Sequence, residues 1–133
     1  MNKQSLRNYP KHIRPNDRIV FLGDSITEQQ LYTNYVEAYL VSRYPELNLT
    51  FFNAGWGGDT AAGGVKRLER DVLFCKPTLV TICFGMNDGL YRKLTHDIRA
   101  QFATSMRELV RRLQSAGVRV VLLTPGFADE NAD

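Results

Sequence analysis

Apolar residues are distributed along this chain in two alternating patterns. Short runs rich in β-branched and aromatic residues occupy 18–22, 49–53, 79–83 and 118–123, each bounded by turn-forming residues. Their near-continuous apolarity predicts strands covered on both faces. Between them the spacing becomes helical. Tyr32, Val36, Tyr39 and Leu40 form one predicted stripe, and Val65, Leu68, Val72 and Cys75 a second, each suited to burying one helix face against a sheet. The third is the most regular: Ile98, Phe102, Met106, Leu109 and Leu113 recur at steps of four, four, three and four, with Thr95 placed as N-cap and Gly117 as C-cap.

The resulting order, β-α-β-α-β-α-β, predicts the doubly wound α/β class, a parallel sheet with right-handed crossovers and helices on both faces. No internal repeat, low-complexity tract or linker interrupts it. A single domain is expected over 18–133, preceded by a basic leader over 1–17. The run at 118–123 is followed by a polar, turn-like tail with no helix to cover the strand, so a C-terminal portion of the domain is expected to be absent.

Composition narrows the function classes. With 44% hydrophobic residues over 133 positions the chain can build one packed core, which sets intrinsic disorder aside. The formal charge of +3 suggests an acidic partner until its location is considered: Lys3, Arg7, Lys11, Arg14 and Arg18 all lie in the first eighteen positions. Aromatic and basic residues do not interleave along a strand as single-strand binders require, so no nucleic-acid partner is expected. Residues 1–17 hold no secretory apolar segment, and no run approaches the ~20 apolar residues of a membrane span. No membrane partner and a cytoplasmic location follow as expectations. Cys75 and Cys83 read as reduced thiols rather than a disulfide.

In open α/β sheets ligands bind beyond the carboxyl ends of the strands. Three polar, glycine-containing segments fall there: Gly23-Asp24-Ser25 after the first predicted strand, 53–60 with Gly55, Gly58 and Asp59 after the second, and 84–89 with Asn87 and Asp88 after the third. One pocket could gather all three. Acyl transfer needs a hydroxyl on a tight strand-to-helix turn and fixed donors around a developing oxyanion. Ser25 offers the hydroxyl, a glycine-rich turn brings main-chain N–H groups close to a ligand, and the Asn87 amide can donate. Taken singly, Ser25 could equally be no more than a helix N-cap.

These three segments, in this order and at these positions, resemble the first three sequence blocks of the GDSL/SGNH hydrolases. The resemblance implies a flavodoxin-like three-layer sandwich and a serine esterase or lipase acting on a small-molecule carboxylic ester, without cofactor or metal. It implies Ser25 as nucleophile and an oxyanion hole made by the N–H groups of Ser25 and Gly58 with the side chain of Asn87. Gly23, Asp24, Gly55, Asp59 and Asp88 support these; Gly58, which immediately precedes Asp59-Thr60, is the oxyanion glycine, and Gly55 serves the turn.

The family's fourth element, an Asp-x-x-His block carrying the general base, is missing. The two histidines are His12, in the leader, and His96, beside the Thr95 cap, and both read as solvated. Losing a triad histidine costs roughly 10⁴ to 10⁶ in rate, so this chain alone is expected to be nearly inert unless another segment completes it. Three other readings stand beside the esterase. Asp24, Asp59 and Asp88 could form a Mg²⁺ site for phosphoryl transfer, although each is also an ordinary turn or cap residue. The glycine-rich stretch 55–64 could cradle a phosphate. The chain could also bind an ester or carbohydrate without cleaving it.

Overall fold

The computed structural model describes residues 9–126. Four parallel strands, β1 (Arg18–Gly23), β2 (Thr50–Gly55), β3 (Leu79–Cys83) and β4 (Arg119–Leu122), form one sheet in the order β2-β1-β3-β4. Four α-helices connect them: α1 (Ser25–Glu28), α2 (Leu31–Arg43), α3 (Ala61–Arg67) and α4 (His96–Ser115). The expected parallel α/β sandwich is therefore the fold. Side chains of β1 alternate between two cores, as the period of two demands. Val20 and Leu22 pack with Leu68, Val72, Leu109 and Leu113 on the side of α3 and α4. Ile19 and Phe21 pack with Leu40 and Tyr32 of α2 on the other.

The four strand assignments hold to within a residue or two at their ends, but the expectation of burial on both faces holds only in the middle of the sheet. β1 and β3 are almost wholly buried; β2 and β4 lie at the edges, where Val121 and Leu122 are exposed. Apolarity along a strand reports hydrophobic content, whereas its place in the sheet depends on chain topology.

Two helical stripes need correction. In α2 the buried positions are Thr33 and Leu40, while Val36 and Tyr39 are exposed. Tyr32 and Leu40 of the predicted stripe do pack on the α2-side core, and the helix is entered through a left-handed Gln30 (φ 62°). The predicted second helix is not continuous: α3 ends at Arg67, a π-helical turn takes Leu68–Val72 and a 3₁₀ turn takes Leu73–Cys75. Pro77 disfavours helical backbone at the residue before it, and Lys76 is left-handed (φ 49°), so the chain unwinds there on its way into β3.

The third helix meets its expectation closely. Thr95 accepts from Ile98 N–H at 3.3 Å, and Gly117 (φ 75°) ends the helix, with Gly117 N–H bonded to Gln114 O at 2.9 Å and Val118 N–H to Leu113 O at 3.0 Å. That pair of bonds is a Schellman cap, and it delivers Val118 into the core beside Leu113.

Residues 10–17 lie against the amino-terminal ends of the strands. Ile13 packs on the α2-side core, and Asp17 is buried, accepting from Arg14 N–H, the Thr78 hydroxyl and the Arg119 guanidinium.

Candidate active site

Parallel register brings the carboxyl ends of three strands level. Gly23 is paired with Gly55 on one side and Cys83 on the other, so the three polar loops leave the sheet at the same height. Ser25, Gly58 and Asn87 each stand within a few residues of that line.

The first loop is a strand-to-helix turn. Asp24 is buried and is the N-cap of α1: its Oδ1 accepts from Ile26 N–H at 3.0 Å, and its main-chain oxygen accepts from Thr27 and Glu28. Ser25 is thus the first residue of the helix rather than its cap. Its side chain is half-buried, and among the described residues no side chain hydrogen-bonds its hydroxyl. Behind it Thr27 is fully buried and shares a 2.9 Å hydrogen bond with the Tyr32 hydroxyl, whose pKa burial raises. Cys83, at the end of β3, is a buried free thiol held up by burial first and by the nearby Asp24 carboxylate second. Cys75 is likewise free.

The second loop approaches the first very closely. A Cβ at Gly55 would stand 2.1 Å from Glu28 N, so only glycine lets β2 end against α1. Asn53 fastens the contact, its Nδ2 donating to Thr27 O at 2.7 Å while its Oδ1 accepts from Gly55 N–H at 2.9 Å. Gly58 is exposed and has φ 73°, a conformation that costs other residues roughly 1–2 kcal/mol. Asp59 follows. Its Oδ1 accepts from Thr60 N–H at 2.9 Å and its Oδ2 from Arg67 Nε at 2.7 Å.

The third loop closes over the second. Asn87 Nδ2 donates to Asp59 O at 2.8 Å and its Oδ1 accepts from the Tyr91 hydroxyl at 3.2 Å, which sets the orientation of the amide and leaves its second N–H free for a ligand. Asp88 Oδ1 accepts from Ala61 N–H at 3.0 Å, and burial pushes its carboxyl above the usual carboxylate range. Tyr91 stands on two successive left-handed residues, Leu90 (φ 55°) and Tyr91 itself (φ 49°).

Each of the three aspartates is engaged in a separate loop or cap: Asp24 on α1, Asp59 with Arg67, Asp88 on α3. Among the described residues no three His, Cys, Asp or Glu side chains group as a metal site requires. Within 55–64 the N–H groups of Thr60, Ala61 and Gly63 are bonded to the Asp59, Asp88 and Thr60 side chains. His96 is exposed in the first turn of α4, 3.7 Å from Asp97, and His12 contributes only a main-chain oxygen, to Arg119. Sequence reasoning overlooked Arg67, Tyr91 and Asn53. Arg67 is the deepest of these, its guanidinium reaching Asp59, Ala54 O and Gly23 O; read along the sequence, it is one more basic residue on a helix.

Among the described residues no helix is long and apolar enough to cross a membrane. In comparisons with known proteins, the chain is 28% identical to the acetylxylan esterase of Geobacillus stearothermophilus, over 90% of this chain and 64% of that one. The crystal structure of a catalytic mutant of that esterase superposes with a TM-score of 0.76 at 27% identity, covering 85% of this chain and 61% of the other. Esterase TesA of Pseudomonas aeruginosa is 37% identical over 53% of this chain and 33% of its own length. The chain therefore spans less than two thirds of the length of these relatives. The family model of the GDSL-like lipase/acylhydrolases matches residues 21–133, nearly all of the sheet and every loop of the site, and the chain belongs to that family.

Proposed function

We propose that this chain carries the nucleophile and oxyanion hole of a serine hydrolase acting on small-molecule carboxylic esters. Ser25 attacks the ester carbonyl carbon through Oγ. The N–H groups of Ser25 and Gly58 and the free N–H of the Asn87 side chain receive the oxyanion, and the alcohol leaves to give an acyl-Ser25. Gly23, Asp24, Gly55, Asp59 and Asp88 hold the loops that carry these groups. The reading assigns one domain to 18–133, with 1–17 as a basic leader. It requires neither cofactor nor metal.

One observation carries it: three strands ending level at Gly23, Gly55 and Cys83, with Asn87 hydrogen-bonded across to the residue that follows Gly58. Likeness to esterases of the same family supports it. Catalytic mutants of the Geobacillus acetylxylan esterase alter a serine, an aspartate and a histidine. In this proposal the proton of Ser25 passes to a general base supplied from outside the three loops, and turnover without that base is expected to be slow.

A fluorophosphonate tests the assignment without requiring turnover, with imidazole added as the external base. The Ser25 Oγ–P bond forms, the P–F bond breaks, fluoride leaves and imidazole takes the proton. A single phosphonyl adduct on Ser25 is expected by intact mass and peptide mapping, unaffected by chelator and lost in Ser25→Ala. Absence of the adduct, or an adduct that persists in Ser25→Ala, overturns the proposal.

A further inference from the structure

The Arg67 guanidinium reaches two of the three loops directly and the third through a single residue. Its Nη2 donates to Gly23 O at 3.0 Å, two residues before Ser25. Its Nη1 donates to Ala54 O at 2.8 Å, where β2 ends, and lies 3.3 Å from Asp71 Oδ2. Its Nε meets Asp59 Oδ2 at 2.7 Å, immediately after Gly58. Asp59 then passes the connection on, because its main-chain oxygen accepts from Asn87 Nδ2. The two side chains are 10% and 12% exposed, so little water competes for the pair. The fold also keeps room for it: a Cβ at Gly63 would stand 1.7 Å from Asp59 Oδ1.

We propose that Arg67 and Asp59 are a positioning pair that holds the oxyanion donors Gly58 and Asn87 in register with Ser25. The inference rests on the functional reading above. Neither residue touches the reacting atoms; the pair acts through the loops that do. The fork of a guanidinium suits this task, since it offers donors in several fixed directions within one plane, whereas a lysine ammonium is a compact point charge on a flexible stem. An oxyanion hole works only if its donors are already in place when charge develops, and a displacement of about 1 Å can cost on the order of 100-fold in rate.

The test is the kinetics of Ser25 phosphonylation with imidazole present, resolved into the maximal rate kinact and the half-saturating concentration KI. Arg67→Gln, Arg67→Lys and Asp59→Asn are each expected to lower kinact by about 10- to 100-fold with KI unchanged. The double variant Arg67→Gln/Asp59→Asn should be no slower than the slower single, because both remove one link. Guanidinium ion should restore part of the rate in Arg67→Ala. Arg112→Gln is the control: it removes a comparable bridge, from α4 to Val65 O and Glu69, remote from the loops, and should lower stability while leaving kinact as it was. No adduct in the unaltered chain overturns the functional reading, and this inference with it. An adduct on Ser25 whose kinact survives in folded Arg67 and Asp59 variants, or whose loss lies wholly in KI, overturns this inference alone. If Arg67→Gln fails to fold, Arg67→Lys and Asp59→Asn decide by the same criteria.

Discussion

At Asp88 two effects oppose each other. Burial raises its carboxyl pKa, and the hydrogen bond from Ala61 N–H pulls it down, with burial prevailing. A carboxyl whose pKa is higher in the folded chain contributes most to stability below the unfolded value, and that contribution is lost as pH rises through the folded one. Asp88→Asn removes the titration. In urea unfolding at a series of pH values, the stability of the unaltered chain relative to Asp88→Asn is expected to decline from about pH 3.5 towards pH 7; a difference that grows over that range would show the carboxylate to be net favoured in the fold. The comparison must be with Asp88→Asn because Asp71, held down chiefly by Arg70, works in the opposite direction. The candidate residues Ser25, Gly58, Asn87 and the aspartates could be picked out of the sequence because their types are rare in strands and frequent in functional turns. Arg67 and Tyr91 could not. They are joined to the loops by hydrogen bonds to main-chain oxygens and to Asn87, which no residue type announces.

At the scale of elements, local signals were reliable where the helix end was decided locally. Thr95 and Gly117 lie at the ends of α4 because a hydroxyl that accepts from the N3 N–H and a residue free to take positive φ are needed there whatever the surroundings. Thr60 is the corresponding cap of α3, accepting from Gly63 N–H at 3.2 Å. Thr60→Ala should cost about 1 kcal/mol in urea unfolding; no measurable loss would mean that Asp88, bonded to Ala61 N–H, caps this helix sufficiently by itself. Where long-range constraints dominated, the sequence pattern misled. The stripe Val65, Leu68, Val72 and Cys75 has helical spacing, yet the backbone passes through π and 3₁₀ turns so that Leu68 and Val72 stay in the core while the chain turns towards Pro77. In α2 the spacing placed Tyr32 and Leu40 on the core but not Thr33, which is buried while Val36 and Tyr39 are exposed.

In the molecule as a whole, the two ends of the sheet have different work. The carboxyl ends carry the candidate site, and the amino ends carry Asp17, which joins the segment before β1 to Thr78 and Arg119. Asp17→Asn should therefore destabilise the fold by about 2 kcal/mol, since hydrogen bonds to a buried charged group are among the stronger ones. Phosphonylation of Ser25 in the folded variant should proceed at the unaltered rate. A large kinetic loss without destabilisation would show that the two ends are coupled. The sequence by itself determined the class of fold, the order of its elements, the three loops and the family, because hydrophobic period, capping residues and glycine placement act over a few neighbouring positions. Only the tertiary structure decided which strands lie at the edges, which face α2 buries and that Asp24 rather than Ser25 is the cap. It alone brought Gly23, Asp59 and Arg67 within hydrogen-bonding distance, because such contacts depend on strand register and helix placement, which are settled by packing between segments far apart in the chain.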